Sequence, residues 1–193
     1  MIRNVTCIDI ETTGFSRTKD RIVEFAAYRV TEEAGVWRYA DKIRKLVNPG
    51  ISIPPEATAV HGITDEMVRV APPFSEQADC FIPFLSDTIL LGYNVKVFDI
   101  PFLTAEIERS GLRWPTAPLE VIDPFIIFKK REAPRHDLAS AIRFYTGKER
   151  RRAHRAMIDV VDLLRVVKTQ TMLYPEFRES PDPIVSLIKA TGI

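Results

Sequence analysis

The chain has 193 residues, of which 46% are hydrophobic and 27% charged, with a formal net charge of +1. That length and composition fit one globular domain and exclude a mainly disordered chain. No apolar run approaches the ~18 to 20 residues that span a bilayer, no signal-peptide pattern follows Met1, and Cys7 and Cys80 lack metal or disulfide spacing, so a soluble cytoplasmic protein with two reduced, space-filling cysteines is expected.

Residues 5–11 read as a buried strand ended by Thr12-Thr13-Gly14. Two β-rich runs, 22–30 and 37–47, extend it to an antiparallel meander. A proline-containing segment leads to Ala57 through His61, and Thr64 is placed to cap a helical turn. Further on, the pattern predicts a helix over 74–85, a short strand over 88–92, a helix over 98–110 ended by Gly111, and a strand over 119–122. Helices are then expected over 124–130, over 138–145 with Asp137 as cap and Gly147 as stop, and over 156–173. Strands first, then strands alternating with helices, give an α/β fold with a mixed sheet flanked by helices. The expected division is a domain over 1–174, followed by a linker at 175–183 and a short amphipathic helix at 184–188 that docks on the domain.

The acids carry the chemistry. Side chains two apart on a strand share a face, so Asp9 and Glu11 point one way while Ile8 and Ile10 point the other. Their bland reading is an exposed edge strand, but the flanking Val5, Cys7, Ile8 and Ile10 argue for a central one. Two carboxylates buried together need a compensating cation, and a divalent metal suits an all-oxygen ligand set. Asp99 is another acid in an apolar run, with helix N-capping as its bland reading. In the 156–173 helix, Asp159 falls on the apolar row with Leu163 and Val166, whereas Asp162 falls on the row with Arg165, where a solvated pair is expected. His154 is about 140° from Asp159 around an ideal helix, so it reaches Asp159's side only from the preceding loop, a placement that suits proton transfer.

Read together, Asp9-Ile10-Glu11-Thr12-Thr13-Gly14, Asn94 with Phe98-Asp99, and His154 through Asp159 resemble the DEDDh branch of the DnaQ-like 3′-to-5′ exonucleases, with the proofreading subunit of bacterial DNA polymerase III and its stand-alone relatives as the nearest pattern. Asn48-Pro49, Ile53-Pro54 and His61-Gly62-Ile63-Thr64 match the stretch between the first two motifs, and the resemblance covers roughly residues 4–173. It implies a ribonuclease H-like fold with a five-stranded mixed sheet. It further implies that Asp9, Glu11, Asp99 and Asp159 bind two divalent cations, Mg²⁺ or Mn²⁺, that His154 is the general base, and that 5′-mononucleotides are released from single-stranded or frayed 3′ ends of DNA or RNA. By position, Thr12, Phe15, Val60, His61, Asn94 and Phe98 match residues that hold the terminal nucleotide, although Phe98 reads equally well as core and His61 as a structural histidine. His136 has only the bland reading. Two departures from the proofreading pattern are Tyr93 in place of histidine and one extra residue between Asn94 and Phe98.

The near-neutral total charge conceals an asymmetry. Residues 129–155 hold ten basic side chains against three acids, a local net of +7 that leaves −6 elsewhere. A solvated face is the ordinary meaning of such a run. Beside metal-binding acids it fits a phosphate backbone, with Arg152 and Arg155 nearest His154. Residues 170–174 faintly resemble a sliding-clamp-binding peptide, which would add a clamp or polymerase as partner. The competing readings are a non-catalytic nucleic-acid-binding module on the same fold, a ribonuclease H-like endonuclease, and an RNA-specific trimming exoribonuclease.

Overall fold

The computed structural model describes residues 2–114, 120–132, 136–149 and 156–191. The chain begins with β1 (Arg3–Thr12), β2 (Ile22–Glu33) and β3 (Val36–Leu46), continues through α1 (Pro55–His61), α2 (Asp65–Val68) and α3 (Phe74–Leu85), and enters β4 (Ile89–Leu91) and α4 (Asp99–Arg109). It then forms β5 (Val121–Ile122), α5 (Pro124–Arg131), α6 (Leu138–Thr146), α7 (Ala156–Leu173), α8 (Pro175–Arg178) and α9 (Pro183–Thr191). The five strands form one sheet in the order β3-β2-β1-β4-β5. β1 pairs antiparallel with β2, and β2 with β3, while β4 joins β1 in parallel and β5 joins β4 in parallel. This is the mixed, helix-flanked ribonuclease H-like sheet expected from the sequence.

The alternation of β1 sorts its side chains between two cores. Val5 and Cys7 join Ala26 and Val30 of β2 beneath Val160, Leu163, Val166 and Val167 of α7. Ile8 and Ile10 join Phe25 and Ala27 against Phe81 of α3 and Phe102, Leu103 and Ile107 of α4. Each buried Val, Leu, Ile or Phe among them contributes about 1.5 to 3 kcal/mol, so β1 is held from both faces. The central position that its apolar residues suggested is therefore correct.

Most helix bounds agree with the sequence expectation; the far end differs. Residues 175–183 were expected as linker, but Pro175–Arg178 forms a helical turn with Phe177 buried in the α7 core. Helix α9 is also longer than expected and buries Ile184, Leu187 and Thr191. The Thr191 hydroxyl donates to the Val121 carbonyl of β5 at 3.0 Å, and Arg3 of β1 bonds Asp182 at 3.1 Å. Cys80 departs from its expected filler role as well: it is exposed, whereas Cys7 is buried. Gln170 and Tyr174, the ends of the segment resembling a clamp-binding peptide, are both buried. Among the described residues no helix is long and apolar enough to cross a membrane.

Candidate active site

Asp9 and Glu11 project from the α7 face of β1, where the strand leaves the hydrophobic core. Asp159 projects toward them from the first turn of α7, where the positive end of the helix dipole favours a carboxylate. One carboxylate oxygen from each of Asp9, Glu11 and Asp159 lies within 4.8 Å of the other two. Asp9 and Glu11 are half-buried and Asp159 is buried. Asp162, a turn away, makes the expected ion pair with Arg165 at 2.6 Å.

Asp99 arrives from the other side of the sheet. The sequence suggested helix capping for it, but Phe98 occupies the N-cap and Asp99 is the first helical residue of α4. Its carboxylate accepts instead from the Ile10 N–H, 3.2 Å away, between Asp9 and Glu11 in the chain. Burial pushes the Asp99 carboxyl up to about 8, against the opposing pull of backbone hydrogen bonds. The Cys7 thiol is raised too, first by burial and then by the negative charges of Asp9, Asp99 and Asp159. Three carboxylates thus converge at the end of β1, with Asp99 bonded to the backbone of the same strand between Asp9 and Glu11. Hard oxygen donors that converge in a partly desolvated place fit a divalent cation, which neutralises what water no longer screens.

Around this cluster stand the residues matched to nucleotide contacts. Phe15 is 91% exposed and meets Phe98 edge-on, with ring centroids 6.1 Å apart. Phe98 is half-buried and packs in turn on Phe102, so it serves the core and the surface at once. The loop carrying Phe15 is fastened by Asp20, which accepts from Ser16 N–H at 2.8 Å and from the Thr13 hydroxyl at 3.1 Å. A Cβ on Gly14 would come within 2.6 Å of the Asp20 carboxylate, so the close approach requires glycine. Thr12 is buried and donates to the Gly14 carbonyl at 2.6 Å. On α1, Val60 is exposed, while His61 is buried with its Nδ1 accepting from Ile63 N–H at 3.0 Å. His136 packs edge-on against Phe125 and Phe128. His154, Arg152 and Arg155 lie outside the described residues.

Four buried acids escaped the sequence reading, Glu24, Glu32, Glu106 and Asp123, and two of them stand close to the site. Glu24 stands opposite Glu11 in the β1–β2 register and pairs with Arg44 of β3 at 2.5 Å. Asp123 precedes α5 and accepts from Phe125 N–H at 3.2 Å and from Asn94 N–H at 2.9 Å. The signal for Glu24 was available, because an acid inside Ile22-Val23-Glu24-Phe25 is as anomalous as Asp9 inside β1.

A family model described as Exonuclease matches residues 6–167. A putative bifunctional exonuclease/endonuclease protein of Mycobacterium tuberculosis is 32% identical over 171 residues, covering 83% of this chain and 26% of that protein. DNA polymerase III subunit epsilon of Treponema pallidum is 34% identical over 103 residues, covering 53% of this chain and 46% of that subunit. Exonuclease I has a similar fold, with a TM-score of 0.77 at 20% identity over 88% of this chain and 41% of that one. The Escherichia coli exonuclease I complex with a dA16 oligonucleotide gives a TM-score of 0.75 at 21% identity, covering 90% of this chain and 42% of that one. The chain thus spans less than half the length of each of these proteins.

Proposed function

Because the chain belongs to the exonuclease family of DnaQ-like 3′-to-5′ exonucleases, we propose that it removes 5′-mononucleotides from single-stranded or frayed 3′ ends with the help of divalent cations. The observation that carries this reading is the convergence of Asp9, Glu11 and Asp159 within 4.8 Å. Asp9, Glu11, Asp99 and Asp159 hold two cations, Mg²⁺ or Mn²⁺. When bound, such ions supply Lewis acidity to the attacking water and to the leaving 3′ oxygen.

The chain's own groups do the rest. His154, five residues before Asp159, accepts the proton of the attacking water at a ring nitrogen. Phe15 and Phe98 present ring faces and edges to the terminal base or sugar, a contact that tolerates any sequence. Thr12, Val60, His61 and Asn94 frame the same nucleotide, and Arg152 and Arg155 meet the strand backbone. The catalytic unit is assigned to residues 1–174, supported from below by the packed segment 175–191.

End-labelled single- and double-stranded DNA and RNA, digested with Mg²⁺ or Mn²⁺, test this reading. A 5′-labelled strand is expected to shorten one nucleotide at a time, and the comparison of DNA with RNA assigns the substrate. Asp9→Ala should lower turnover at least about 100-fold, equivalent to ~2.7 kcal/mol of transition-state stabilisation, with the fold intact. Unchanged turnover in that variant would overturn the mechanism.

A further inference from the structure

The loop between β4 and α4 delivers Asp99, and it is fastened to the body of the protein at several points. Gly92 N–H donates to the Ile122 carbonyl of β5 at 3.3 Å. At Gly92 itself a Cβ would fall 2.5 Å from Val95 Cγ2 and 3.3 Å from the Ile8 carbonyl, so the loop lies flat against β1. Asn94 then adopts a left-handed conformation, with φ of 58°, which costs a non-glycine residue energy unless its surroundings hold it. Its carbonyl accepts from Val97 N–H and Phe98 N–H, both at 3.1 Å, and so starts the turn that becomes α4. One residue after Phe98 comes Asp99.

What holds Asn94 in place is Asp123. Its side chain is 1% exposed, and the same Oδ1 that caps α5 through Phe125 N–H receives Asn94 N–H at the shorter distance of 2.9 Å. A buried carboxylate that accepts backbone N–H groups from two separate elements is a rigid joint, because losing it leaves both donors without that acceptor. Lys96, in the same loop, ties it to α9 as well, since its Nζ donates to the Thr191 carbonyl at 2.6 Å.

We propose that Asp123 is a positioning residue for the candidate metal site: by clamping the left-handed Asn94 turn to α5, it sets where α4 begins and so where Asp99 meets β1. The proposal rests on the reading of the acidic cluster as a cation site and goes beyond it, since Asp123 belongs to none of the matched motifs.

The test compares Asp123→Ala with Glu32→Ala. Glu32 is likewise a buried acid, accepting from Gly35 N–H at 2.7 Å and pairing with Arg3 at 3.4 Å, at the opposite end of the β1–β2 pair from the acidic cluster. Both variants remove a buried acceptor, so general loosening is controlled for. Amide hydrogen exchange on metal-free protein is expected to show lost protection at Val97 and Phe98 in Asp123→Ala alone. The Mn²⁺ concentration that half-saturates the thermal shift should rise about tenfold or more in that variant alone, in line with the loss of a group that orients a metal ligand. Asp123→Asn, which keeps an acceptor oxygen, should recover the protection and most of the Mn²⁺ affinity, and it carries the test if the alanine variant does not fold. Equal exchange and equal Mn²⁺ midpoints in the two alanine variants, or no recovery by asparagine, would overturn the proposal. Wild-type protein that gains no thermal stability from Mn²⁺ would instead overturn the cation site itself.

Discussion

Single residues divide here between those that fold the chain and those left for a ligand, and Phe15 is the clearest of the second kind. A phenyl ring that is 91% exposed contributes little to stability, yet it is held beside the acidic cluster by a loop fixed through Asp20. Phe15→Ala is therefore expected to leave the melting temperature unchanged while raising KM for long strands by about 5- to 150-fold, the worth of ~1 to 3 kcal/mol for one stacked base. A change in stability without a change in KM would assign the ring to the fold. Asp159→Asn should act oppositely, with turnover nearly lost and the fold kept, and it should abolish the thermal shift by Mn²⁺. The sequence revealed Asp9, Glu11 and Asp159 because local periodicity alone puts each acid on an apolar row. It did not reveal the joint made by Asp123, because Asp-Pro at a helix start looks complete as a cap. Its second bond, to Asn94 29 residues away, exists only once β4 and β5 pair.

Among the elements, α9 shows how a segment beyond the matched region of 6–167 contributes to the site. Leu187 and Ile184 are buried against the α7 core, and Leu187→Ala should cost about 2 to 5 kcal/mol, measurable as a fall in denaturation midpoint. The start of α9 is held by Asp182, which accepts from Val185 N–H at 3.2 Å and pairs with Arg3. Burial opposes the charge on Asp182, but the hydrogen bonds and charge of Arg3 win, leaving its carboxyl below the usual range. A depressed carboxyl stabilises the fold at pH values above its unfolded-state value of 3.8, and that contribution disappears as pH falls through the folded-state value. The amides of α9 are thus expected to lose exchange protection earlier than those of α7 on acidification, and Asp182→Asn should remove the difference. The helix over 74–85 was readable because twelve residues carry a full amphipathic period. The turn over 175–178 was not, since four residues have no period and Phe177 finds its place only by tertiary contact.

For the whole molecule, the even balance of charge conceals an uneven distribution along the chain. Acids gather where β1, α4 and α7 meet, while the basic surplus occupies residues 129–155. A single strand bridging them should bind more weakly as salt rises, each phosphate contact adding about 0.7 to the slope of log affinity against log salt. Lys148→Ala is expected to reduce that slope by about one such contact, read from KM at several salt concentrations. A salt-independent KM would remove the basic region from the substrate path. The two thiols offer a view of the same molecule as a timekeeper. Cys80 is open to reagent in the native state, whereas Cys7 is sealed in β1, its Sγ 3.5 Å from the Val160 carbonyl and its thiol pushed up by burial and by the neighbouring carboxylates. Alkylation should therefore proceed as one fast event followed by one that waits for β1 to part from α7. A cation that ties Asp9 to Asp159 would stitch those two elements together, so the delay before the second thiol reacts becomes a stopwatch for how firmly the site is closed.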